Sequence, residues 1–222
     1  MSSMNYIENE RSEGFPTFHP EERSPALSKE RAGRSDEGSV KRMHYLMDTF
    51  LSIEVFHSDE NIAKQTVEMA FREAIRIENI LSRFREGSEV YRVNKHSFDK
   101  PQIISEELTR LVSNCIRFSQ KTSGAFDITV APLIELWANA AKKNLFPPQN
   151  EISSLLQNTG YENIILDSGS SMIAFAKPLL RIDFGAVGKG YALDRMTEIL
   201  KENKIEKARL DFGGHLYYMD SQ

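Results

Sequence analysis

Between residues 61 and 84, apolar side chains recur at Val67, Ala70, Phe71, Ala74, Ile77, Leu81 and Phe84, in steps of three and four. That spacing places them in one stripe along an α-helix, with Ser58 or Asp59 positioned to cap its start. Just upstream, residues 47–56 alternate instead. Thr49, Leu51, Ile53 and Val55 share one face while Phe50, Ser52, Glu54 and Phe56 share the other, the period of a half-buried strand. A striped helix and a one-faced strand each need a further layer to cover them.

The rest of the chain supplies such layers. A second helix follows Ser105, with Glu106 and Glu107 in its first turn, Leu108, Leu111, Val112, Cys115 and Ile116 inward, and Gly124 placed to end it. Pro132 suits the start of a third helix carrying Leu133, Leu136 and Trp137, and Pro147-Pro148 closes that unit. Asn150 is placed to cap a short helix ending near Gly160. Strands are predicted over 163–166, 172–176 and 179–183, the first two joined as a hairpin through Asp167-Ser168-Gly169-Ser170. A helix from about Lys189 to Glu202 and one strand over 208–219 complete the pattern. Helices and antiparallel strands mix without a βαβ rhythm, so the predicted class is α+β. The last strand is predicted to leave its outer edge bare, inviting aggregation or pairing with a complementary chain.

Residues 1–42 have a different composition, dominated by Glu, Arg, Ser, Pro and Gly with charges that follow no helical face. Burial there cannot offset the entropy of ordering, so 1–42 is expected to be a disordered leader and 43–222 the domain. At 222 residues and 40% hydrophobic, the chain is long enough for one or two cored domains. A net charge of -4 gives no general basic field, which argues against nucleic acid as a partner. Cys115 is the only cysteine, which excludes an intrachain disulfide and a cysteine-based metal cluster. Its apolar helical neighbours mark it as a packing residue. No stretch suits a transmembrane segment, and the start lacks the basic-then-apolar pattern of a secretory signal, so a cytoplasmic location is expected.

Candidate chemistry concentrates at Asp183-Phe184-Gly185-Ala186-Val187-Gly188-Lys189-Gly190-Tyr191, where a predicted strand meets a helix. A helix start exposes backbone N–H groups, glycines admit a ligand close to the main chain, and Lys189 adds a mobile positive charge. The same features also fit a tight packing joint in which Asp183 caps the next helix and Lys189 is solvated. Gly190 follows Lys189 where a P-loop needs Ser or Thr. The Asp183-Phe184-Gly185 and Asp211-Phe212-Gly213 triplets imitate the kinase magnesium triplet, but no His-Arg-Asp loop precedes either. His44, His57 and His96 show no metal-ligand spacing, and His215 reads as a turn residue on a sheet edge or as an acid–base group.

Several motifs in order carry a resemblance. Met47-Asp48-Thr49-Phe50, Leu81-Ser82-Arg83-Phe84, Ser88 to Asn94, Ser123 to Leu133, the glycine-rich segment with Asp194, and Phe212-Gly213-Gly214 together resemble the ApbE family of FAD:protein FMN transferases. The resemblance implies an ApbE/T-fold-like α+β domain whose C-terminal part, with further metal ligands, is missing from this chain. It implies FAD as substrate, Mg2+, release of AMP, and an acceptor flavoprotein presenting a Thr-containing flavinylation motif. It further implies that Asp183 and Lys189 are catalytic and contact FAD, that Met47, Phe84, Ala125, Phe126 and Asp127 bind FAD, and that the Ala186 carbonyl ligates the metal.

From the residues themselves, Phe84 serves equally as the last member of the core stripe, and Asp127 as a cap for the segment near Pro132. Asp48 stands where the family usually has glycine, which predicts crowding or repulsion of the flavin phosphates. Many members are lipid-anchored, but the start of this chain shows no lipobox cysteine. The implied alternative to an active transferase is a catalytically incomplete flavin-binding or interaction relative without turnover.

Overall fold

A computed structural model describes residues 38–220. The expected disordered leader lies outside the described residues up to position 37. Residues 39–42, which composition placed in it, instead open strand β1 (Ser39–Leu46). Their charges are tolerated because they are paired, Lys41 with Glu54 at 3.8 Å and Arg42 with Glu68 at 3.3 Å. β1 turns at Met47 and Asp48 into β2 (Thr49–Phe56), with Leu46 facing Thr49. Met47 and Asp48 therefore form a two-residue turn, not the beginning of the strand, and both have positive φ, 49° and 59°.

Helix α1 (Glu60–Leu81) is capped by Asp59, whose carboxylate accepts the N–H groups of Asn61 and Ile62. It stops short of Phe84 because the Ser82 hydroxyl accepts the N–H groups of Phe84 and Arg85, a local bond that competes with the helical one. Phe84 thus leaves the core stripe and is 55% exposed. Helix α2 (Glu89–His96) was not anticipated, since it buries only Val90 and Val93 and is too short to show a period. A two-residue strand, β3 (Gln102–Ile103), follows.

Helix α3 (Glu106–Lys121) starts at Ser105 and is closed by Gly124, as expected. In α4 (Ala131–Lys142) Pro132 sits at the start, while α5 (Gln149–Leu156) is entered through Pro148, with Asn150 already inside it. Strands β4 (Ile164–Asp167) and β5 (Met172–Phe175) form the expected hairpin. Its loop is held by Asp167, which accepts the Gly169 and Ser170 N–H groups. After α6 (Gly188–Glu202) come β6 (Lys207–Phe212) and β7 (His215–Asp220).

Two strand predictions need correction. The segment 208–219 is a hairpin, because Gly213 and Gly214, with φ of 59° and 87°, reverse the chain between β6 and β7. Segment 179–183 is not a strand. Both main-chain polar groups of Ile182 bond the Asn94 side chain, so a side chain stands where a neighbouring strand would, and only one bridge forms, from Arg181 to Val130.

The main sheet is antiparallel in the order β1-β2-β6-β7, and a smaller one runs β3-β5-β4. Leu51, Ile53 and Val55 of β2 and Ala208, Leu210 and Phe212 of β6 line the inner face of the main sheet, buried to within 3%. Val67, Ala70, Phe71, Ala74 and Ile77 of α1 and Ala192, Met196 and Leu200 of α6 complete the core. Truncating one such side chain, Phe71→Ala, costs about 3–5 kcal/mol. Tyr45, Phe50, Leu216 and Tyr218 lie more than half exposed. The result is the α+β class, helices over largely antiparallel sheet.

Charged groups tie α1, α3 and α6 together at one point. Arg76 bonds Glu107 at 2.6 and 2.9 Å and Glu73 at 2.7 and 2.8 Å, and the Tyr191 hydroxyl donates to Glu107 at 2.6 Å. The Arg76 hydrogen bond, followed by that of Tyr191, holds the Glu107 carboxyl down at about 2. Burial, then the bond to Glu107, pushes the Tyr191 hydroxyl up to about 12.

Candidate functional site

Three distant segments converge on one cleft: the β1–β2 turn, the end of α1 with residues 82–85, and the junction leading into α6. Met47, Asp48, Glu78, Arg83, Phe84, Arg85, Asp183, Gly185 and Lys189 line it together with Leu81 and Gly188. The enclosed space is about 180 Å³. Sites that bury a drug-sized ligand usually enclose about 300–1,000 Å³, so this space admits only part of a molecule of that size.

The Met47-Asp48 turn is a backbone conformation costing roughly 1–2 kcal/mol per non-glycine residue. Glu78 steadies it, accepting the Met47 N–H at 2.9 Å. Arg85 lies 3.9 Å from the other Glu78 oxygen and donates to Asn79. Asp183 is fixed from several sides. Its N–H donates to the Ile128 carbonyl at 2.7 Å, and the Asn94 amide clamps its neighbour Ile182 at 2.8 and 2.9 Å. One Asp183 oxygen accepts the Gly185 N–H at 2.6 Å, and a Cβ on Gly185 would sit 2.8 Å from that oxygen. A side chain at 185 would thus displace the Asp183 carboxylate from its bond to the Gly185 N–H.

The other Asp183 oxygen lies 2.5 Å from Arg83 Nε. That N–H is not aligned with it, so the contact is an ion pair, and the buried Nε proton has no hydrogen-bond acceptor. Arg83 Nη1 donates to Glu135 of α4 at 2.5 Å, and Glu135 also pairs with Arg181 at 2.7 Å. Lys189 and Asp48, by contrast, carry no ion pair or side-chain hydrogen bond among the described residues.

The cleft therefore brings together Met47, Phe84, Asp183 and Lys189 of the sequence-derived set. It does not include the others. Ala186 is exposed on the same turn, outside the cleft lining. Phe126 packs edge to face on Phe118 at 5.2 Å. Asp127 is occupied within the chain: it accepts the Thr129 N–H and hydroxyl at 2.8 and 2.7 Å and the Tyr161 N–H at 2.9 Å, tying residues 127–129 to 160–161. It does not cap α4, whose start at Val130 has no side-chain cap. Ala125 adjoins this loop, its N–H bonded to the Thr122 carbonyl. His215 is exposed at the first position of β7.

The magnesium ion that the resemblance implies needs several oxygen ligands. No group of three His, Cys, Asp or Glu side chains among the described residues could hold a metal ion, and both Asp183 oxygens are engaged. These residues do not complete such a site by themselves. No described helix is long and apolar enough to cross a membrane. Sequence reasoning missed Asn94, Glu78 and Arg83 as parts of the site. Arg83 lies in the Leu81–Phe84 motif and Asn94 in the Ser88–Asn94 motif, but their partners are far away in the chain.

Over 172 residues the chain is 26% identical to an FAD:protein FMN transferase of Klebsiella pneumoniae, covering 78% of this chain and 53% of that protein. Over 143 residues it is 29% identical to the Escherichia coli K12 FAD:protein FMN transferase, covering 63% and 41%. The chain thus spans about half the length of these curated relatives. The crystal structure of the Thermotoga maritima ApbE protein superposes with a TM-score of 0.74 at 29% identity, over 83% of this chain and 60% of that one. The Vibrio cholerae flavin transferase ApbE gives 0.73 at 24% identity, over 82% and 59%, a likeness of fold. With the ApbE family model matching residues 47–222, a span that takes in the cleft and strands β2, β6 and β7 of the main sheet, the chain belongs to the ApbE family.

Proposed function

We propose that the cleft binds FAD and that the chain contributes to transfer of FMN from FAD to a threonine hydroxyl of an acceptor protein, with AMP as leaving group. The observation that carries this reading is the convergence of Met47, Phe84, Asp183 and Lys189, from three separate segments, on one cleft. Phe84 offers an exposed ring for stacking, and Lys189 an ammonium without an internal partner. In the transfer the threonine oxygen forms a bond to the FMN phosphorus, the bond from that phosphorus to the AMP oxygen breaks, and the hydroxyl proton passes to solvent or a base. Charge builds on the pyrophosphate oxygens, and Lys189 sits where an ammonium lowers its cost. Asp183, held by Gly185 and Arg83, orients the ligand. The magnesium ion implied by the resemblance would take its further oxygen ligands from outside the described residues, and no step here runs through it.

A second reading, a flavin-binding relative without turnover, is favoured by one observation: both Asp183 oxygens already have partners. One experiment separates the two. The chain is titrated with FAD and then incubated with FAD, Mg2+ and a threonine-containing acceptor peptide, and the peptide mass is measured. The transferase reading expects an FMN-sized mass gain that falls at least about ten-fold in Lys189→Ala, while His215→Ala stays within about two-fold. Binding without a mass gain supports the second reading. Absence of FAD binding by the wild-type chain overturns both.

A further inference from the structure

We infer that Arg83 is a positioning residue for the cleft, holding Asp183 and Phe84 together as one unit; the functional part of this inference rests on the cleft being a flavin site. Three contacts meet on one guanidinium. Nε lies 2.5 Å from Asp183 Oδ2, Nη1 donates to Glu135 at 2.5 Å, and Cζ stands 4.1 Å from the centre of the Phe84 ring. The side chain is only 11% exposed, and Asp183 is 16% exposed, so both ends of this ion pair are largely withdrawn from water.

A planar guanidinium can pair with carboxylates around its rim while its carbon lies over an aromatic ring, which a single ammonium cannot. Arg83 therefore couples the two. Because it covers one face of the Phe84 ring, a planar ligand ring can stack only on the opposite face, in the order guanidinium, phenyl, ligand. Glu135 anchors the assembly to α4, and Arg181 keeps Glu135 in place at 2.7 Å. Phe84 is more than half exposed, and its N–H donates to the Ser82 hydroxyl at 3.3 Å. Without Arg83 its ring loses its backing.

The test begins without ligand. In nitrogen-15 NMR of the full chain, the Arg83 Nε–H signal should be resolved and shifted upfield by the Phe84 ring current. It should move downfield in Phe84→Leu and change its exchange rate with water in Asp183→Asn. A signal indifferent to both substitutions overturns the inference whether or not flavin binds.

The second arm titrates FAD and riboflavin into wild type, Arg83→Lys and Arg83→Met, with folding of each checked by circular dichroism. Arg83→Met should weaken both ligands by at least about ten-fold, and Arg83→Lys, though charged, should not restore them. Restoration by lysine would mean that charge alone acts and would overturn the positioning role. So would affinity within about two-fold of wild type in Arg83→Met. Failure of the wild-type chain to bind any flavin would instead remove the proposed function and leave the NMR arm to decide the Arg83 geometry.

Discussion

Gly213 and Gly214 are neighbours with positive φ of 59° and 87°, yet they sit in different surroundings, and the difference makes a controlled experiment. A Cβ on Gly214 would meet no atom within 4 Å, whereas one on Gly213 would lie 2.6 Å from Thr49 Oγ1, 2.7 Å from its Cγ2 and 3.1 Å from its Cβ. Gly213 cannot easily retreat, because its N–H donates to the Phe50 carbonyl at 3.0 Å. Gly214→Ala should therefore cost only the left-handed backbone term, about 1–2 kcal/mol. Gly213→Ala adds overpacking of about 1–3 kcal/mol, for a total of roughly 2–5. With a urea slope of about 2 kcal/mol/M, the unfolding midpoint drops by roughly 0.5–1 M for Gly214→Ala and 1–2.5 M for Gly213→Ala.

Thr49→Ala removes the two nearest atoms but leaves the Cβ at 3.1 Å, so in that background most of the overpacking is relieved and the costs of the two glycine substitutions should converge. The coupling energy would be about 1–2 kcal/mol. Urea titrations followed by far-ultraviolet circular dichroism on the wild type, the three single variants and the two double variants measure it. Equal costs for the two glycines within about 0.5 kcal/mol, or no coupling to Thr49, would refute the packing described between the β6–β7 turn and the start of β2.

Asn94→Ala leaves both main-chain groups of the fully buried Ile182 without partners and should destabilise by about 2–4 kcal/mol in the same titration, with Asn94→Asp recovering only the bond from the Ile182 N–H. The Glu107 carboxyl is held low, so its contribution is full above the ordinary carboxylate range and is lost as pH falls from about 4.5 toward about 2. The Tyr191 hydroxyl is raised, so its contribution is full below about 10 and is lost as pH rises toward about 12. Tyr191→Phe should flatten the alkaline limb of a stability–pH profile and cost about 1 kcal/mol at neutral pH, a value discounted for partial exposure. Asp48→Asn should tighten an anionic dinucleotide several-fold at low salt, an effect that fades as salt is added, while Asp48→Gly should do the same and also raise stability by about 1 kcal/mol by relieving a φ of 59°.

What could be read from the sequence followed from local periodicity and local caps. The α1 stripe, the alternation in β2, the Ser105 start and Gly124 end of α3, and the Asp167 turn depend on residues a few positions apart, and all were legible. What failed depends on partners elsewhere. Segment 179–183 has the apolar content of a strand, but its ladder partner is the side chain of Asn94, 88 residues away from Ile182. Phe84 continues the helical period, but a serine hydroxyl two residues earlier ends the helix and turns the ring toward the cleft. Gly213 and Gly214 were visible as glycines. That both take positive φ and split a strand in two depends on the strands they join.

The same division governs the site. Asp183 and Lys189 could be marked by their place in a glycine-rich junction, but their different availability is set by long-range pairing. Arg83 is taken up by Asp183 and Glu135, and Arg85 lies against Glu78. Of the charged side chains lining the cleft, these contacts leave Lys189 and Asp48 without internal partners. Among its lining residues the cleft thus presents one cation and one anion without internal partners, at the start of α6 and on the β1–β2 turn. An anionic ligand gains from the first and loses to the second, so its affinity is set by which end of the cleft its phosphates occupy. In the proposed flavin complex, phosphates beside Lys189 gain this attraction, whereas phosphates beside the β1–β2 turn meet Asp48 instead.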